Sequence, residues 1–200
     1  MAVAAVGMAV ALATTGCLVR SEGSGPKDPI VSTGGPPPMT SAPPTTSPTT
    51  PPAAEKLAST GIGPYVVGAK LAALKSAKVL ADLNESTGCT GWATAQGTAP
   101  YGDAVTIIFY NGAVNWVEVN SPAISTVEGA QVGMTLAALK GIYGTKATDL
   151  DDGLGGKAVS VHGATALGLF FRLDATGKVK TIEAGRSETL EFRFTEGEGC

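Results

Sequence analysis

The sequence predicts an α+β domain over residues 57–200, made of tandem duplicated units, each a helix followed by antiparallel strands, in two layers. Three observations carry this. Ten of the thirteen prolines fall between Pro26 and Pro52, so the foldable part of the chain is C-terminal to them. Ala104–Tyr110 and Ala113–Asn120 flank Asn111-Gly112, the strongest short hairpin signal. Finally, the domain matches itself at an offset of 65 residues, placing Leu71-Ala72-Ala73-Leu74-Lys75 on Leu136-Ala137-Ala138-Leu139-Lys140.

Residues 1–17 come first. Met1 to Ala13 is an uncharged apolar run, too short to span a bilayer comfortably. Small residues and then Cys17 succeed it. The segment resembles the lipobox of bacterial lipoproteins, in which cleavage falls just before a cysteine that becomes diacylated, with Thr14 where an aliphatic residue is usual. The resemblance implies a lipid anchor on Cys17 and a cell-membrane location on the extracytoplasmic face. The run lacks the cationic start of export signals, as expected if translation begins upstream of Met1. The competing reading is an uncleaved anchor through Val19, with Cys17 an ordinary apolar residue.

Residues 18–56 form a Pro/Thr/Ser-rich linker. Pro36-Pro37-Pro38 and the Thr45–Pro52 tract can join neither ladders nor helices, and they bury too little to offset chain entropy. They read as a disordered, semi-rigid polyproline spacer able to reach on the order of 100 Å. Cys89 and Cys200 are then an even pair outside the cytoplasm, where a disulfide between them persists; two free thiols are the alternative.

Within the domain, repeat 1 covers about 61–123 and repeat 2 about 124–188. Leu71, Leu74 and Val79 give the first helix its apolar stripe; Leu136, Leu139 and Tyr143 give the second, with Thr135 as N-cap and Gly144 as stop. The same offset carries Gly112 to Gly177, Val117 to Ile182 and Glu118 to Glu183. Lys157–His162, Leu167–Leu173 and Lys178–Ala184 read as strands, with Asp174–Gly177 turning the last pair. Thr189–Phe194 alternates Leu190, Phe192 and Phe194 with charged residues and reads as a half-buried strand.

Val132-Gly133-Met134-Thr135 through Leu139 and Tyr143-Gly144 resembles the helix start of outer-membrane-assembly lipoproteins of the SmpA/OmlA type. The tandem duplication is similar to that of the β-lactamase inhibitory protein family. Ala69-Lys70 stand in the first copy where Met134-Thr135 stand in the second. The resemblance implies a fold; it leaves function open.

Chemistry is sparse. Residues 57–200 hold eleven Lys/Arg and fourteen Asp/Glu without a basic cluster, which argues against nucleic acid as a partner. His162, the only histidine, has no nucleophile elbow around it and no company for a zinc site, so it reads as a solvated or structurally bonded imidazole. Asp149, Asp151 and Asp152 suggest a calcium loop, but the twelfth position from Asp149 is Ser160, not the required Glu. Gly153 to Lys157 opens a strand and not a helix, so it is no phosphate cradle. No catalytic residue, metal or cofactor is expected.

Surface recognition remains. Trp116 falls on Thr181 in the other copy, so exposure on an open sheet face is expected, with Val114 and Glu118 beside it and Trp92 and Tyr110 nearby as further binding residues. Burial of these rings in a thin core is the alternative. The expected function is a non-enzymatic protein-binding or scaffolding lipoprotein, anchored to the membrane by lipid, with a protein or envelope partner. An inhibitor or sensor of an extracellular enzyme is the alternative, and a weak envelope hydrolase the second.

Overall fold

A computed structural model describes residues 55–197, all within the compact unit Thr49–Cys200. Cys17, Cys200 and most of the linker lie outside the described residues. Among the described residues no helix is long and apolar enough to cross a membrane. The structure is mixed α and β, with three α-helices and one large antiparallel sheet among the described residues.

A two-stranded hairpin, β1 (Gly61–Ile62) and β2 (Tyr65–Val66), opens the domain. Tyr65 is fully buried; its hydroxyl donates to Val79 O at 2.6 Å and accepts from Thr98 N at 3.0 Å. Helix α1 (Leu71–Ser76) leads into β3 (Leu80–Glu85), β4 (Trp92–Gly97), β5 (Val105–Tyr110) and β6 (Ala113–Val119). Helix α2 (Leu136–Tyr143) leads into β7 (Ala147–Asp151), β8 (Lys157–His162), β9 (Leu167–Leu173) and β10 (Val179–Arg186). Helix α3 (Ser187–Glu196) comes directly after β10.

The eight long strands form one sheet in the order β3-β4-β5-β6-β10-β9-β8-β7. Two four-strand meanders therefore meet at their last strands, where Ile182 faces Val119 and Ala184 faces Val117. Helices α1 and α2 are each tied to the final hairpin of the meander that follows them. Gly68 N donates to Val114 O at 2.8 Å and Leu71 N to Gly112 O at 2.9 Å; Gly133 N donates to Val179 O at 2.8 Å and Leu136 N to Gly177 O at 3.1 Å. Gly68 and Gly133 make these approaches at φ of 89° and 87°, a region that favours glycine.

One sheet face makes the main core. Ile107, Phe109, Val117, Val159, Phe171 and Ile182 are fully buried there, beneath Leu74 of α1, Leu139 and Tyr143 of α2, and Leu57, Ile62 and Tyr65 of the entry segment. The opposite face carries a second cluster of Ile108, Trp116, Ala158, Phe170, Leu190 and Phe194.

This second cluster corrects two expectations. Thr189–Phe194 is part of a helix, not a strand. Leu190 and Phe194, four residues apart, are both buried, and Phe192 between them is 63% exposed. Alternation along the chain cannot distinguish these cases when an i, i+4 pair also fits period two. Because α3 lies on the face away from α1 and α2, the architecture is also not purely two-layered.

The helices differ at their starts. Thr135 Oγ1 accepts from Ala138 N at 3.3 Å, whereas Lys70, in the corresponding place before α1, offers no side-chain cap. Thr135→Ala is expected to lower stability by about 1 kcal/mol. A Lys70→Ala control should stay within about 0.5 kcal/mol. Urea midpoints for both variants check this, and equal losses would contradict the capping role.

Candidate functional site: an aromatic cleft beside the third helix

Trp92 opens β4 and Tyr110 closes β5, and the two are register partners across that pair. Their ring centroids lie 4.9 Å apart at 42°. Trp116 meets Trp92 edge-on at 5.6 Å. The structure thus brings all three sequence-selected aromatics together.

Trp116 itself is not exposed. It is 5% accessible and faces Ile108 in the register. The register of β5 with β6 shifts here: Ile108 faces Trp116 but Phe109 faces Val114, leaving Asn115 as an extra residue. This bulge sends Val114 into the main core with Val117 and Val119, while Trp116 stays on the other face. The expected grouping of Val114 with Trp116 and Glu118 is broken for that reason. Trp116 is covered by α3 and is not exposed.

Arg193 of α3 lies over Trp116, its guanidinium carbon 3.7 Å from the ring centroid. Its Nη1 donates to Glu183 Oε2 at 3.1 Å, and Arg172 Nε donates to Glu183 Oε1 at 2.6 Å. Glu183 is fully buried, so a carboxylate inside the protein fixes the arginine that roofs the tryptophan. Gly185 leaves room for this stack: a Cβ there would sit 2.7 Å from Trp116 Cβ. Trp116 Nε1 and Thr181 Oγ1 are buried with no hydrogen-bond partner among the described residues.

Beside this stack a cleft of about 470 Å³ opens, lined by Trp92, Tyr110, Asn115, Phe192, Arg193 and Glu196 among others. Tyr110 is 45% exposed and Phe192 63%. A cavity with aromatic walls and a few polar groups is suited to binding. Sequence reasoning missed Phe192, Arg193 and Glu183. The i, i+3, i+4 spacing of Leu190, Arg193 and Phe194 was the available signal.

The other candidates fall into place. His162 Nε2 lies 2.6 Å from Glu191 Oε1, and Ser160 Oγ donates to the same oxygen at 2.5 Å. The carboxylate stands between hydroxyl and imidazole, whereas a nucleophilic triad needs the imidazole in the middle. Ser160 is moreover 1% exposed. In the acidic turn, Asp151 Oδ1 accepts from Gly153 N, and Asp152 Oδ1 accepts from Leu154 N and Gly156 N, each at 2.8 Å. These carboxylates close the turn, and no cluster of three or more metal-binding side chains occurs among the described residues. Cys89 sits in the connection between β3 and β4, its N–H donating to Ser86 Oγ at 3.0 Å.

A larger cavity, about 790 Å³, lies elsewhere, between Ala58–Ser59, Glu128, Tyr143, Lys146 and His162. Burial, reinforced by Glu128, holds the Tyr143 phenol well above its ordinary range, so it is a neutral hydrogen-bonding group there; Thr126 opposes the shift only in part.

No family model and no curated protein matches the chain. Among solved structures, the uncharacterized protein yfeY from Escherichia coli is similar, with a TM-score of 0.46 and 14% identity over 66% of this chain and 99% of that one.

Proposed function

We propose that the chain is a non-enzymatic, membrane-tethered binding module whose aromatic cleft receives a segment of a protein partner outside the cytoplasm. The observation that carries it is the Trp92–Tyr110–Trp116 cluster, opening into a cleft with Tyr110 and Phe192 exposed. Exposed aromatics beside a rigid buried stack are the arrangement in which a few side chains dominate protein binding. Arg193 is already held by Glu183, so little order has to be imposed on that wall when a partner arrives.

The tether is the lipid on Cys17, continued by the Pro/Thr spacer, and a Cys89–Cys200 disulfide would pin the end of the chain. Support for these comes from the sequence: the apolar run, the small residues before Cys17 and an even cysteine pair. We also read the domain as a tandem duplication in the SmpA/OmlA and β-lactamase inhibitory protein manner. The bonds of Gly68 and Leu71, reproduced 65 residues later by Gly133 and Leu136, support that reading.

Crosslinking on intact cells, with partners identified by mass spectrometry, tests the cleft. Trp92→Ala combined with Tyr110→Ala should remove at least one protein crosslinked by the parent chain, at unchanged chain abundance. An unchanged partner set would overturn the proposal.

A further inference from the structure

Helix α3 separates two clefts, and Phe192 lines both. On one side is the aromatic cleft. On the other is a space of about 450 Å³ lined by His162, Ser187, Glu188, Glu191, Phe192 and Thr195, together with Leu150 and Ala166. The second has a consistent chemistry. Two carboxylates face it, one of them Glu191 with Oε1 already on His162 and Ser160, and neither lysine nor arginine lines it. Ser187 is 6% exposed, yet its Oγ has no hydrogen-bond partner among the described residues. Glu188 stands on the same helix as Phe192, with Glu196 at its far end.

The arginines of this region lie outside that cleft. Arg193 turns inward onto Trp116 and Glu183. Arg186 lines a different recess with Tyr110 and Asn115. The outer face of α3 is thus an apolar ridge, Phe192, between a carboxylate-lined cleft and an aromatic one. An occupant complementary to it must be cationic on one side and apolar on the other.

We propose that this face docks an extended segment of the partner protein, with a lysine in the carboxylate-lined cleft and an aromatic side chain against Phe192 and Tyr110. The inference rests on the protein-binding reading above and adds the chemistry of the partner. Lysine suits the cleft because its ammonium donates to more than one acceptor and so fits Glu188 and Glu191 together, while its stem fits along Leu150 and Phe192. The clefts flank one helix, whose diameter with side chains is about 10 Å. An extended chain rises about 3.3 Å per residue, so the two anchors belong roughly three positions apart.

Fluorescence anisotropy with the full chain tests this. The probe is a fluorescein-labelled synthetic peptide carrying one lysine and one tryptophan with two serines between them. Saturable binding is expected, weakening at least tenfold when the peptide's lysine becomes glutamate or its tryptophan becomes alanine. Phe192→Ala should weaken it about tenfold, and Glu188→Gln with Glu191→Gln about fivefold while flattening its salt dependence. Circular dichroism and a thermal midpoint confirm that the double variant is folded. Absent binding, equal binding of the glutamate peptide, or insensitivity to Phe192→Ala would overturn the inference. If crosslinks are lost with Trp92 and Tyr110 while the peptide fails, the aromatic cleft stands and only the lysine-bearing partner falls. Peptide binding with unchanged crosslinks would separate the two in the opposite sense.

Discussion

Glu183→Ala should lower the free energy of unfolding by about 3 kcal/mol, toward the lower end of the range for breaking a buried charge pair. Glu183 is fully buried and serves two guanidinium groups, Arg172 at 2.6 Å and Arg193 at 3.1 Å. Removing the carboxylate takes away its attraction to both cations beneath α3 while their desolvation cost remains. Two features moderate the loss. The Arg172 side chain is 26% exposed and so retains some water, and Glu118 faces Glu183 directly in the neighbouring strand. Urea unfolding of Glu183→Ala and Glu183→Gln checks the argument. Both should fall well below the parent, because glutamine restores the shape but not the charge. A loss under about 1 kcal/mol in both would mean that the arginines find other partners at little cost.

Much of the architecture can be read from the residues, for reasons that also explain the failures. The sequence predicts Lys157–His162 and Leu167–Leu173 with the boundaries they have, since both are apolar, β-branched or aromatic runs bounded by turn residues. The hairpin around Asn111-Gly112 is equally plain, with Asn111 at φ 50° and Gly112 at φ 72°, the left-handed pair this turn requires. Strands β3, β4 and β7 carry no such pattern. Trp92–Gly97 is mostly small or polar residues and owes its strand to a place between β3 and β5. Leu80–Glu85 and Ala147–Asp151 are the two edges of the sheet, where acidic residues and, in β3, a register shift with Asp82 at φ 47° blunt the alternation.

The candidate site is legible in its residues but not in its geometry. Trp92, Tyr110 and Trp116 do cluster, yet which of them faces solvent depends on the extra residue at Asn115 and on a helix whose residues alternate like a strand. A bulge reverses side-chain direction without altering composition, so nothing in the chain announces it.

Leu190→Ala is the second large effect, about 3 kcal/mol from burial lost and cavity created. Leu190 is fully buried and holds α3 on the sheet among Ile108, Trp116, Phe170 and Phe194. The distinctive expectation concerns where the stability goes. The main core lies on the other face of the sheet and does not include Leu190, so the helix should loosen ahead of global unfolding. Hydrogen exchange should therefore accelerate at the amides of Ser187–Glu196, while those of Val105–Tyr110 and Ala113–Val119 keep most of their protection. Tryptophan emission should shift to the red as Arg193 leaves the Trp116 ring. Phe192→Ala, on the same helix but 63% exposed, should cost less than about 0.5 kcal/mol and leave both signals unchanged. The contrast matters for the binding proposals, because both clefts have α3 as a wall. Leu190→Ala must weaken the peptide by unmaking the surface, and Phe192→Ala by removing a contact from a surface still in place. If exchange instead rose uniformly along the chain, α3 would be one cooperative unit with the main core, and only Phe192→Ala would remain a clean probe of docking.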